Sequence, residues 1–169
     1  MKKQLFLFIL GLIFFSCSSK YAHLITYYNQ NKQLHKELAD GLMNFAKHYH
    51  TEVTLTLRED LGDRVILRYF LPSNNSRVPI EFDSLLLRND PYPKLSSGII
   101  VPIELIQKFK KMKYRSILAD TSQVFFGFKY GADGNSHYGI SIVNDLARSR
   151  ANCIKRLSSD VCITSLSIP

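Results

Sequence analysis

The feature that most constrains the fold is a series of short segments, after residue 52, in which apolar and polar residues alternate between turn residues. Val53, Leu55 and Leu57 alternate with Thr54, Thr56 and Arg58, which is the period of a strand with one buried face. Further strands are predicted over residues 65–71, 78–82, 115–119, 124–130, 138–143 and 161–168. Consecutive strands joined by short turns form hairpins, so we expect an antiparallel sheet, with Pro79 placing its strand at an edge.

Other stretches have the spacing of helices. One long amphipathic helix is predicted from Leu24 to Tyr49, because apolar residues recur along it at steps of three and four: Leu34, Leu38, Leu42, Phe45 and Tyr49. A second helix is predicted to begin near Pro102, and a third, shorter one to run from Asp145 to Leu157. This order predicts an α+β fold: a mainly antiparallel sheet of hairpins packed against one long N-terminal helix and one or two shorter helices.

The beginning of the chain has the organisation of an export signal. Two lysines follow Met1, the 11 residues from Leu5 to Phe15 are apolar, and Ser16 is a small residue at the end of this run. Eleven residues at about 1.5 Å each cover roughly 16 Å, about half of the hydrocarbon core of a bilayer. The segment is therefore predicted to be a cleaved signal peptide rather than a membrane-spanning helix.

The pair Ser16-Cys17 resembles the processing site of bacterial lipoproteins, although Phe14 and Phe15 depart from that family's usual residues. In the family, the peptide before the cysteine is removed and the thiol is acylated. The resemblance implies that Cys17 is the lipid-attachment residue and that palmitate-type chains hold the protein on a membrane of the cell envelope. Ser18 after the cysteine implies the outer membrane, with the domain facing the periplasm. The alternative is an ordinary secretory peptide that carries a cysteine.

These features predict three segments: a signal peptide over residues 1–16, a lipidated tether over 17–22 and a single α+β domain over 23–169. Cleavage before Cys17 leaves 169 − 16 = 153 residues, which is a usual size for one domain.

The remaining cysteines, Cys153 and Cys162, then form an even pair in a compartment where disulfides persist, so we expect them to be bonded. The alternative is two free buried thiols.

The net charge limits the classes of partner. It is +8 for the whole chain and falls to +6 when Lys2 and Lys3 are removed with the leader. No nucleic-acid partner is expected, because the envelope contains little nucleic acid. A membrane with anionic lipid headgroups fits this positive charge better than nucleic acid does. A basic surface that only faces solvent is the simpler explanation and is favoured.

Motifs with catalytic or ligand chemistry are weak. His48, His50 and Glu52 would share a face in an extended segment, as a metal half-site requires. A helix ending here would explain the histidines without metal, because cations are favourable at a helix C-terminus. The segment from Asp133 to His137 is a hairpin turn rather than a calcium loop. No catalytic residue, metal site or cofactor is predicted.

The aromatic residues of one predicted strand allow two interpretations. Phe126, Phe128 and Tyr130 would share one face of the strand, and Phe125 would lie on the other. Burial between the sheet and the helices is favoured over an exposed recognition patch.

The functional hypothesis is a lipid-anchored protein of the cell envelope, of non-enzymatic type, that contacts the membrane through its N-terminal lipid and binds a protein or envelope component. One alternative is an envelope hydrolase with His137, or His48 and His50, in its site. Another is a small-ligand carrier with an apolar cavity between sheet and helix.

Overall fold

The computed structural model describes residues 21–58, 64–69, 80–83, 100, 102–130, 136–144 and 152–167. The chain divides into two compact units, residues 1–32 and 33–169. The described residues form three helices and one eight-stranded antiparallel sheet, which confirms the predicted mixture of α-helix and antiparallel β-sheet.

Asn31 interrupts the long helix that the sequence predicts from Leu24 to Tyr49. Helix α1 (Ala22–Gln30) ends at this asparagine. The Asn31 backbone N–H donates to the carbonyls of Tyr27 and Tyr28, and its side-chain Nδ2 donates to the Tyr27 carbonyl at 2.9 Å. An asparagine amide that occupies a helix carbonyl competes with helix continuation. The single predicted helix is therefore two helices.

Helices α2 (Lys32–Tyr49) and α3 (Ile103–Lys110) have the predicted amphipathic pattern. Their apolar faces are buried, and their other faces carry most of their charged side chains. Helix α3 begins directly after Pro102, whose fixed backbone angle suits a helix start. The buried residues of the two helices are His35, Leu38, Ala39, Leu42, Met43, Phe45, Ala46, Ile106 and Phe109.

The sheet has the strand order β3-β2-β1-β4-β5-β6-β8-β7, and every neighbouring pair is antiparallel. As predicted from Pro79, β3 is an edge strand. The strands are β1 (Val53–Arg58), β2 (Arg64–Tyr69), β3 (Ile80–Asp83), β4 (Ser116–Ala119), β5 (Gln123–Tyr130), β6 (Ser136–Val143), β7 (Asn152–Arg156) and β8 (Val161–Ser167).

One face of the sheet forms the core with α2 and α3. Cross-strand register places a row of apolar side chains on this core face, and all of them are buried: Phe82, Leu67, Leu55, Ile117, Phe126, Ile140 and Ile163. The His35 ring of α2 lies against Phe126, with ring centroids 5.1 Å apart. The alternation that predicted the strands is therefore the alternation between core and opposite face.

The predicted third helix is wrong over its last part. Residues Asn152–Arg156 form strand β7, which pairs with β8, and residues 145–151 lie outside the described part of the chain. The backbone N–H groups of Leu157 and Ser158 donate to the Val161 carbonyl and close a tight turn. Cross-strand pairing therefore outweighs the local helical preference of these residues.

Candidate binding surface

The two halves of the sheet differ in exposure on the face opposite the core. On β5, β6 and β8 the side chains of Phe125, Ser141, Cys162 and Thr164 are buried. On β1, β2 and β4 the side chains that point the same way are accessible, Ile66 excepted. We call these accessible residues the open face: Thr54, Thr56, Arg58, Arg64, Arg68, Ser116 and Leu118.

Leu118 is the apolar centre of the open face. It lies on β4, an interior strand, and its side chain is 42% exposed. Its register partners are Thr54 on β1 and Phe125 on β5. Thr54 is paired in turn with Arg68 of β2, so a leucine, a threonine and an arginine follow one another across three strands.

Arginines provide the polar part of the open face. Arg58 and Arg64 are directly opposite each other on β1 and β2. Arg64 Nη1 donates to Asp83 Oδ2 at 3.1 Å, and both side chains are about one third exposed. A guanidinium has five N–H donors, so an arginine that holds one carboxylate can still donate to another acceptor. This surface combines apolar contact with donors for carboxylates.

Phe125 covers the part of this sheet face that lies next to the open face, on β5 and β6. Gly127 and Gly139 are register partners on β5 and β6, and the Phe125 ring lies over both. A Cβ at Gly127 would be 3.2 Å from Phe125 Cε1, and a Cβ at Gly139 would be 2.9 Å from Cε2. The ring thus covers backbone that the glycines leave bare, which is why Phe125 is buried on this side.

The predicted arrangement of the β5 aromatics is correct where the structure describes it. Phe126 faces the core, and Phe125 faces the other way. A β-bulge between Gly127 and Lys129 shifts the register, and the Phe128 ring still contacts Tyr114, at a centroid distance of 5.8 Å. Phe126 is buried and Phe128 is half-buried on the helix side, which supports the core interpretation for these two, whereas Phe125 is buried on the opposite face. The Tyr130 side chain lies outside the described part.

A buried polar pair, His35 and Tyr114, was not predicted. His35 is fully buried, and its Nε2 shares a hydrogen bond of 2.7 Å with the Tyr114 hydroxyl. The rings of Tyr114 and Phe126 both contact the imidazole edge to face. A signal existed in the sequence, because His35 precedes Leu38 by three residues and Leu42 by seven, on the apolar stripe. The pair lies inside the core and serves packing.

The disulfide between Cys153 and Cys162 is confirmed. The two Cα atoms are 5.6 Å apart, within the range that a disulfide requires. The bond joins β7 to β8, with Cys162 buried and Cys153 exposed. Closing a loop of nine residues contributes about 2–3 kcal/mol to stability by the chain-entropy estimate.

Within the histidine cluster at the end of α2, His48 lies in the last turn of the helix and His50 forms the helix cap. His50 has a φ of 49°, in the left-handed region. The Thr51 N–H donates to the Ala46 carbonyl, and the His50 N–H donates to the Lys47 carbonyl. This is the hydrogen-bond pattern of a Schellman motif with histidine in the usual glycine position. Within the described residues, no group of three His, Cys, Asp or Glu side chains could hold a metal ion.

Other candidate residues lie partly or wholly outside the described part of the chain. Cys17, the predicted lipid-attachment residue, precedes it, as does the leader. Of the turn from Asp133 to His137, only the backbone from Ser136 onward is described. His137 occupies a register position on β6 opposite Leu166 of β8.

No known family, no curated protein and no solved structure matches this chain. No helix in the described ranges combines the length and apolar composition that crossing a membrane requires.

Proposed function

We propose that this chain is a lipid-anchored protein of the bacterial cell envelope that binds a protein partner through the open face. The observation that carries the binding proposal is Leu118, accessible on an interior strand and in the same row as Arg68. Arginine and apolar side chains are enriched in protein interfaces, where arginine also supplies much of the binding energy. The partner would present carboxylates around an apolar contact.

Two observations support the location in the envelope. The leader ends in Ser16-Cys17, with the resemblance to lipoproteins described above. The Cys153–Cys162 bond is of a kind that persists in oxidising compartments such as the periplasm. Acyl chains on Cys17 would hold the domain at the membrane, and Ser18 favours the outer one.

Mass spectrometry of the native product tests the anchor. We expect the N-terminal peptide to begin at Cys17 and to carry acyl chains on the thiol. An unmodified peptide, or one that still begins at Met1, would contradict this part of the proposal.

Site-specific photo-crosslinking in intact cells tests the binding surface. A photo-reactive phenylalanine analogue at position 118 should give one discrete adduct, and the same residue at Asn44, exposed on α2, should not. Arg68→Glu should weaken the adduct, whereas Arg156→Glu on the exposed edge strand β7 should leave it unchanged. Equal crosslinking from positions 118 and 44 would refute the assignment of the partner to the open face.

A further inference from the structure

The basic charge of this protein is concentrated in its helical layer. We define this layer as residues 33–49 and 103–115, which contain α2 from Gln33 onward, α3 and the segment after it. The layer has seven lysines and arginines against three carboxylates, a net charge of +4. The chain without its leader has a net charge of +6, so these 30 residues carry most of it. The basic residues are Lys36, Lys47, Lys108, Lys110, Lys111, Lys113 and Arg115.

Helices α2 and α3 form one continuous surface. They approach closely where Gly41 of α2 meets Leu105 of α3: a Cβ on Gly41 would lie 2.5 Å from Leu105 Cδ2. One helical turn away, Lys108 Nζ donates to Glu37 Oε2 at 2.8 Å. Because the apolar faces of both helices are buried, their charged side chains point away from the sheet.

The carboxylates of the layer do not cancel its positive charge. Glu37 accepts hydrogen bonds from Lys108 and Gln33. Asp40 and Glu104 are exposed, and the six further basic residues of the layer outnumber them. Four of these, Lys36, Lys47, Lys110 and Lys111, are exposed lysines with no ion pair to any described residue.

We infer that the helical layer docks on an anionic lipid surface. This inference rests on the proposed lipid anchor, which leaves 15 residues, 18–32, between the acylated cysteine and the compact unit that begins at Gln33. Fifteen residues extend at most about 50–54 Å, so the domain stays within reach of the headgroups. Lysines within about 8–10 Å of an anionic surface are attracted to it. The domain is therefore held with its helical layer toward the lipid.

The inference is tested by chemical acetylation of lysines, with the rate measured at each lysine of the native lipid-anchored protein in vesicles. One preparation uses phosphatidylcholine alone, and the other adds phosphatidylglycerol. In the anionic vesicles we expect Lys36, Lys47, Lys110 and Lys111 to be acetylated at least about threefold more slowly. Lys155 on the exposed edge strand β7 should keep its rate. High salt should abolish the difference.

Two charge-matched double variants provide the control. Lys110→Glu with Lys111→Glu should remove the protection of Lys36 and Lys47. Lys155→Glu with Arg156→Glu, which changes the net charge equally, should leave it in place. Equal effects of the two pairs, or equal acetylation in both vesicle types, would overturn the inference. Failure of the anchor has a different signature: the protein would not float with phosphatidylcholine vesicles.

Discussion

The buried pair of His35 and Tyr114 shows how one hydrogen bond permits a polar residue on the apolar stripe of a helix. A buried imidazole needs partners for its nitrogens, and the Tyr114 hydroxyl supplies one at 2.7 Å. Both side chains are buried and the Phe126 ring packs against each of them, so water cannot replace this partner at low cost. The histidine is compatible with the core because of the tyrosine.

We expect Tyr114→Phe to lower the free energy of unfolding by about 1–3 kcal/mol, because His35 Nε2 loses a buried hydrogen bond. Urea denaturation measures the change. Replacing both partners, by adding His35→Leu, should recover part of the loss, since no buried nitrogen then needs the bond. A Tyr114→Phe variant as stable as the wild type would refute this role.

His50 carries backbone strain that a glycine would relieve. Its φ of 49° lies in the left-handed region, which costs a non-glycine residue about 1–2 kcal/mol. We expect His50→Gly to raise the free energy of unfolding by about 0.5–1 kcal/mol, less than the full cost because glycine has more freedom in the unfolded chain. The control is His48→Gly inside α2, which should destabilise by about 1 kcal/mol. Loss of stability in both variants would contradict the strain argument.

At the scale of elements, two glycines tolerate substitution differently. A Cβ on Gly139 would collide with the Phe126 carbonyl oxygen, and this backbone atom cannot move without disturbing the ladder between β5 and β6. A Cβ on Gly41 meets the end of the flexible Leu105 side chain. We expect Gly139→Ala to destabilise by about 2 kcal/mol or more. Gly41→Ala should be nearly neutral, because its helix propensity offsets the shift of Leu105. Thermal unfolding of the two variants checks this ranking.

The β7–β8 hairpin depends on its disulfide. Strand β7 is an edge strand with exposed side chains from Cys153 to Arg156 and a bulge in its pairing. Few buried contacts are therefore available to hold it. We expect Cys153→Ser with Cys162→Ser to cost about 2–3 kcal/mol and to increase hydrogen exchange in β7 first. Unchanged exchange in β7 would show that strand pairing alone holds the hairpin.

Across the whole molecule, local sequence patterns correctly predicted the elements that are defined by having one buried face. Alternation at Val53, Leu55 and Leu57 marked β1 correctly, since the core needs every second side chain. Residues 152–156 were misassigned because their structure depends on β8 and on a bond to Cys162. The turn Ser158-Ser159-Asp160 between two cysteines was the signal for a hairpin. The open face could not be predicted, because exposure of Leu118 depends on what covers the sheet.

We expect stability near neutral pH to depend in part on the ion pair between Lys108 and Glu37, which joins α3 to α2. The hydrogen bond from Lys108, that from Gln33 and the charge of Lys108 lower the pKa of Glu37. A lowered folded-state pKa stabilises the fold above the ordinary glutamate pKa of about 4.3, and this stabilisation is lost as pH falls through the lowered value. Because Glu37 is exposed, solvent screens the pair and the effect is small.

We expect Lys108→Met to be less stable than Lys110→Met at about pH 7 and to lose this difference at low pH, once Glu37 is protonated. Lys110→Met removes the same charge from α3 without breaking the pair, so it corrects for the general relief of repulsion in a basic layer. Urea midpoints of both variants across this pH range give the measurement. The two profiles should diverge only above the folded-state pKa of Glu37. Profiles that stay parallel throughout would show that the ion pair does not stabilise the contact between the helices.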